Sequence, residues 1–151
     1  MCLEKNEITE IEILFKEASV KLLNEDSTFE RINSRILEEC IKRNISGAFA
    51  VADVHRFHTR YSYIRTEKPA REGVEGKNNC NFLAVCFSKL AMVIIHRRNT
   101  GGETDFIGEV PYMGGRLSKD GQFAYAFSGA AQEIDDEIMQ IAEEVHASLG
   151  D

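Results

Sequence analysis

Positive charge is scarce in this chain. Its 151 residues hold 18 Lys and Arg against 25 Asp and Glu, a formal net charge of −7. That balance excludes a general binder of nucleic acid or of an anionic membrane surface, because both select clustered cations. Long apolar runs are also missing, and none approaches the roughly 20 residues a bilayer-spanning helix needs. Cysteine is sparse and badly spaced for metal. Cys2, Cys40, Cys80 and Cys86 make no Cys-x-x-Cys pair, which argues against a zinc site built on them. Cys40 and Cys86 fall on apolar helical faces and read as small core residues. The opening, Met1 to Glu7, is polar and acidic rather than a secretory leader, so a reduced, cytoplasmic setting is expected. No P-loop, GxGxxG, Ser-His-Asp order, internal repeat or domain linker appears.

What is present is a chain with 43% hydrophobic residues, enough for one compact domain with a core. Ile8, Ile11, Leu14, Phe15, Ala18 and Leu22 recur at helical spacing and predict a first helix over Ile8 to Leu23. Ser27 and Glu30 form a capping-box pattern ahead of a second helix marked by Phe29, Ile32, Ile36, Leu37, Cys40 and Ile41, with Asn44 and Gly47 ending it. From Gly47 the period changes to two. Phe49 and Val51 alternate with Ala48, Ala50 and Ala52, and Tyr61 and Tyr63 continue a second strand after a turn near His55-Arg56. Thr66 to Asn78 reads as a surface loop. Asn79 is a candidate cap for a third helix whose stripe is Leu83, Cys86, Phe87, Leu90, Val93 and Ile94. The best-specified unit runs from Met113 to Leu149. It comprises Gly114-Gly115, a two-residue hairpin signal at Asp120-Gly121, and a strand alternating Phe123, Tyr125 and Phe127 with Ala124 and Ala126. Ser128-Gly129 then turns the chain into a helix with acidic first turns. The element order predicts an α+β fold, an antiparallel sheet covered by helices.

The C-terminal unit resembles the GlcG/HbpS-type haem-degrading-domain (DUF336-like) family. That family's pattern is a Gly-Gly loop, a short strand, Asp-Gly, an apolar strand, Ser-Gly and an acidic helix start. Gly114, Gly115, Asp120, Gly121, Ser128, Gly129 and Asp135 match it. Met113 stands where the family usually has Pro, and Ala130 where it has a further Gly. Asp53 matches an Asp after the family's first strand, Arg65 an Arg after its second, and Lys89 a helical Lys. The resemblance covers roughly Phe29 to Leu149. It implies a profilin-like domain over 27–151 with residues 1–26 as an added helical extension. It also implies haem or small-molecule binding and assembly as a homo-oligomer.

Several residues carry two readings. His55 and His58 are either metal or haem-iron ligands, His58 foremost, or exposed turn residues. His96 and His146 sit near helix C-termini, where a structural role is expected. Tyr61 and Tyr63 either line a ligand pocket or are half-buried sheet residues. Arg60 and Arg65 either grip a carboxylate or edge the sheet. Lys89 either faces a pocket or snorkels to the surface. Ser128 reads as a helix cap and Asp135 as an electrostatic or capping partner. The expected ligand set is Tyr61, Arg65, Lys89, Gly114, Gly115, Ser128, Gly129 and Asp135. The pocket is expected between Gly114-Gly115, the Tyr61-Tyr63 strand and Lys89, in preference to Gly101-Gly102, whose flanks look solvated. Three functions stay open. The first is a haem- or small-ligand-binding module. The second is an enzyme on a small carboxylated metabolite, with Arg65 and Lys89 holding the acid and Asp53 or Tyr61 moving a proton. The third is a scaffolding subunit assembled through the Ile8 to Leu23 helix.

Overall fold

The structure, a computed structural model, describes residues 26–66 and 81–149. The expected helix over Ile8 to Leu23, Asn79, and most of the loop from Thr66 to Asn78 lie outside the described residues. Among the described residues, the elements are α1 (Asp26–Arg43), β1 (Gly47–Asp53), β2 (Thr59–Ile64), α2 (Phe82–His96), β3 (Gly115–Leu117), β4 (Phe123–Ser128) and α3 (Gln132–Leu149). The strands form one antiparallel sheet in the order β2-β1-β4-β3. This is the α+β, profilin-like layout expected. None of the described helices is long and apolar enough to cross a membrane.

The period-two alternation decides which layer each helix joins. Phe49, Val51, Phe123, Tyr125 and Phe127 point to one face, where they pack with Ile32, Ile36 and Cys40 of α1 and Ile138, Met139 and Ala142 of α3. Burying each large apolar side chain there contributes roughly 1.5–3 kcal/mol. Ala48, Ala50, Ala52, Ala124 and Ala126 point to the other face and pack with Cys86, Leu90 and Val93 of α2. Small side chains on that face let the α2 backbone approach the sheet closely. β1 and β4 are thus buried on both faces, and the expected split into a bulky face and a close-approach face is what the structure shows.

Helix ends follow local chemistry. α1 ends in a left-handed Asn44 with φ 53, closed by Ile45 N donating to Cys40 O and Asn44 N to Ile41 O. At its start, α1 begins at Asp26, so Ser27 lies inside the first turn rather than ahead of it. The cap of α2 is Asn81, whose Oδ1 accepts from Ala84 N at 3.0 Å, in the role sequence reading assigned to Asn79. Ser128 is likewise no cap: it closes β4, and α3 starts four residues later. The β3–β4 connection is longer than a two-residue hairpin. Ser118 N donates to Phe123 O across it, and Asp120-Gly121 forms its tip, with Asp120 Oδ1 accepting from Ser118 Oγ and Gln122 N.

Candidate functional site

Of the residues that carry the family resemblance, Lys89, Gly114, Gly115, Ser128, Gly129 and Asp135 gather at one end of the sheet, while Asp53, Asp120 and Gly121 lie at the other. Lys89 leaves the middle of α2 with its side chain only 1% exposed, and its Nζ donates to Phe127 O at 2.8 Å and to Asp135 Oδ2 at 3.0 Å. Asp135 belongs to α3, on the opposite face of the sheet. Gly114 makes this crossing possible. It has φ +112, and a Cβ there would stand 2.9 Å from Lys89 Nζ, 2.9 Å from Asp135 Cβ and 2.8 Å from Phe127 O. The second carboxylate oxygen of Asp135 accepts from Ala130 N at 2.9 Å, which ties the Ser128-Gly129 turn to the helix start. Burial pushes the Asp135 carboxyl up to about 6, opposed by the Lys89 ammonium and the N–H groups of Ala130 and Gly129. Lys89 is therefore neither snorkelling nor facing open space.

Gly115 is equally close-packed. A Cβ there would lie 2.7 Å from Thr100 Cγ2, and its N–H donates to Thr100 Oγ1 at 2.9 Å. A Cβ on Gly129 would collide with Ser46 O and lie 2.8 Å from Gly47 Cα. Both Gly loops are filled by the chain's own atoms. The loop passed over in sequence reading, Gly101-Gly102, instead borders an open cavity of about 400 Å³ with His96, Asn99 and Thr100.

The remaining candidates sit on the far edge. β2 and β3 are opposite edges of the sheet, three strand spacings or roughly 14 Å apart. One chain therefore does not bring Tyr61 and Tyr63 to Gly114-Gly115. Register places Tyr61 opposite Ala50 and Tyr63 opposite Ala48, hence on the α2 side. Tyr61 is 59% exposed and meets Phe87 edge-on at 5.7 Å, and the Arg65 guanidinium lies 5.4 Å from the Tyr63 ring centre. These form an aromatic shelf with a cation at one end.

His58 lies at the other end of β2, beside the β1–β2 turn. Asp53, fully buried, shapes that turn by accepting from His55 N at 3.0 Å and Arg56 N at 2.7 Å through Oδ1. Its Oδ2 lies 3.9 Å from His58 Nδ1, a buried nitrogen, while the His58 side chain as a whole is 40% exposed. The open edge of the ring is thus the Nε2 side. His146, by contrast, is buried against Tyr125, whose hydroxyl bonds its Nδ1, and against the Phe123 ring at 4.5 Å. His146, Tyr125 and Phe123 border a cavity of about 590 Å³ between the β3–β4 hairpin and α3, with Arg116 and Lys119 on its wall. Sequence reading assigned His146 a structural role and did not single out Arg116, which pairs with Asp136 and Glu143 at 3.2 and 3.0 Å.

Fold and site together define an α+β domain with helices on both faces of a four-stranded antiparallel sheet, stitched by a buried Lys–Asp pair. The same fold occurs in the crystal structure of Klebsiella pneumoniae protein ORFY, of the DUF336 family. That structure is 13% identical at a TM-score of 0.61, covering 81% of this chain and 89% of that one. It occurs again in the PduOC:heme complex, 15% identical at a TM-score of 0.62, covering 80% of this chain and 92% of that one. No protein-family model matches the sequence, and no curated protein matches it.

Proposed function

We propose that this chain is a small-ligand-binding module of the DUF336 type that takes haem, with His58 as the iron ligand, and works as a homo-oligomer in the cytoplasm. The observation that carries the reading is the His58–Asp53 pair. Imidazoles that bind metal typically present one nitrogen to the metal and the other to a carboxylate, which fixes the ring. His58 lies near that arrangement: its buried Nδ1 faces the Asp53 carboxylate at 3.9 Å, just beyond hydrogen-bond reach, so a small rotation of the ring would complete the pair, and the far edge points outward. A fold shared with a haem complex supports the choice of ligand. Bound haem would supply an iron centre; this chain's residues would hold and orient it. Tyr61, Tyr63 and Arg65 offer, on the α2 face of β2, a flat apolar surface and a cation suited to an acid-bearing ligand, whereas the register puts His58, opposite Asp53, on the other face, so a ligand using both would have to reach round the β2 edge. Among the described residues β2 is an edge strand, so a second copy closing over it would cover a ligand there. Lys89, Gly114, Gly115, Ser128, Gly129 and Asp135 support the site by holding the opposite end of the sheet. Buried free thiols at Cys40 and Cys86 suit a reducing compartment.

Titrating the apo-protein with haemin tests this. A Soret shift at micromolar haem, lost in His58→Ala and weakened in Asp53→Asn, is expected. No Soret shift at all overturns the haem reading. Thermal stabilisation by a small carboxylic acid but not by haem would move the function to an acid-binding module.

A further inference from the structure

At the C-terminal end of α2 and in the loop that follows it, a histidine and two carboxylates converge. His96 is the last residue of the helix. After it the chain reverses at a left-handed Arg97, φ 55, and Thr100 N bonds to Gly115 O, so the helix end is anchored to the sheet. The loop then returns Asp105 and Glu109 to His96. Glu109 Oε2 lies 2.6 Å from His96 Nε2 and Asp105 Oδ2 lies 3.7 Å from His96 Nδ1; one donor atom from each of the three residues falls within 4.8 Å of the others. The Glu109 carboxylate is aimed from behind: its Oε1 accepts from Asp105 N at 2.8 Å and Phe106 N at 3.0 Å, which leaves Oε2 directed at the imidazole. Phe106 stacks on the His96 ring at 5.6 Å and shields its face. His96 and Glu109 side chains are 12% and 10% exposed, while Asp105 is 49% exposed and stands on the side of the 400 Å³ cavity.

We propose that His96, Asp105 and Glu109 bind a divalent transition-metal ion of the zinc class. One imidazole and two carboxylates are a donor set of borderline hardness suited to such ions. Three protein ligands leave a coordination position open toward the cavity, where a water or small anion would complete the shell. A single ion takes one ring nitrogen: bound at His96 Nε2 beside Glu109 Oε2, it would displace the hydrogen bond between them and take Asp105 Oδ2 across from the Nδ1 edge of the ring. Arg98 competes, because its guanidinium holds Asp105 Oδ2 at 3.2 Å. Loading the site therefore draws Asp105 away from Arg98 and clips the turn that carries Phe106 and Ile107.

The experiment is titration of chelator-treated full-length protein with ZnCl2 by calorimetry, and with CoCl2 by visible absorption. One equivalent binding at micromolar Kd, with cobalt d–d bands in the tetrahedral range, is expected. Asp105→Asn changes a half-exposed side chain, so its circular dichroism should match wild type, and it should weaken binding at least tenfold. His96→Ala and Glu109→Gln should abolish it, and Arg98→Gln should tighten it. Absence of binding overturns the proposal and leaves His96–Glu109 as an ion pair only. Binding that survives Asp105→Asn and His96→Ala undiminished also overturns it, and a parallel Cys2→Ser/Cys80→Ser variant that loses such binding would locate the metal on those thiols. His58→Ala should leave zinc binding unchanged, which separates this site from the haem reading.

Discussion

Lys89 Nζ and Asp135 Oδ2 are 3.0 Å apart although they belong to helices on opposite faces of the sheet. The sheet does not separate them because β3 is only three residues long and Gly114, just before it, has no side chain. A buried ion pair of this kind contributes little net stability, because desolvating both charges offsets their attraction. Removing one partner leaves the other charge stranded. Lys89→Met should therefore destabilise by about 3–5 kcal/mol in urea unfolding. Adding Asp135→Asn to Lys89→Met should recover part of that loss. Strict additivity of the two single changes would show that the pair is not coupled.

The same pair sets a pH signature. The folded Asp135 carboxyl sits at about 6, above its ordinary 3.8, because burial disfavours the charged form. Between roughly pH 4 and 6 the folded state therefore holds more proton than the unfolded state, so this group's contribution to stability falls as pH rises through that window. Glu39, held below its usual range by hydrogen bonds from Arg43 and then Arg35, acts in the opposite direction: its contribution is present above the ordinary carboxylate value and is lost as pH falls through the depressed one. The difference between wild type and Asp135→Asn isolates the first effect. Stability measured by urea midpoint should drop less between pH 4.5 and pH 6.5, on the order of tenths of a molar urea per unit less, in the variant than in the wild type. Identical slopes would mean Asp135 is already fully ionised below that window.

The layers of this fold were legible in the sequence because they rest on local periodicity. Phe123-Ala124-Tyr125-Ala126-Phe127 states both faces of β4 in five residues, and Phe49 and Val51 against Ala48, Ala50 and Ala52 do the same for β1. Edge order was not legible, since nothing local tells Tyr61 that β1 and β4 stand between its strand and Gly115. That is why a pocket drawn from Gly114-Gly115, Lys89 and the two tyrosines is split by the sheet. The partner of Lys89 was half visible: Asp135 read as an electrostatic partner, but a 46-residue separation carries no spacing signal for the contact. His96, Asp105 and Glu109 are hidden for the same reason. They are assembled by a loop whose path follows from Thr100 bonding to Gly115, not from any helical or strand period.

Glycine substitutions should separate close packing from backbone conformation. Gly121 has φ +74 and open space around a would-be Cβ, so Gly121→Ala should cost only the left-handed strain, about 1–2 kcal/mol. Gly114 has φ +112 and would place its Cβ against Phe127 O and Lys89 Nζ. Gly114→Ala should therefore cost clearly more than Gly121→Ala in the same urea assay. Equal losses would mean that Lys89 can withdraw without penalty.

Cys40 and Cys86 should be silent toward thiol reagents in the folded protein. Both are fully buried, and burial pushes each thiol up to about 12, so the reactive thiolate is scarce at neutral pH. Peptide mass spectrometry after brief iodoacetamide treatment should find them unmodified in buffer and modified in denaturant. Labelling of Cys86 in buffer would require α2 to lift from the alanine face of the sheet.

Phe106 and Ile107 protrude at the tip of the loop that follows α2, 62% and 106% exposed, and Ile95 on the adjoining helix is 63% exposed. With Phe87 and Ala91 they edge one apolar groove of about 440 Å³. Such a patch on a chain of net charge −7 is expensive to leave in water and is characteristic of an interface. The Ile8 to Leu23 segment and the β2 edge compete with the loop patch as assembly elements, and the segment and the patch make opposite predictions. If the loop patch is the interface, Ile107→Asp should shift the mass by light scattering toward monomer while leaving the unfolding midpoint within about 0.5 kcal/mol of wild type, as for an exposed site. Truncation before Ser27 should then leave the oligomer intact. A monomer produced by truncation but not by Ile107→Asp would move the interface to the Ile8 to Leu23 segment.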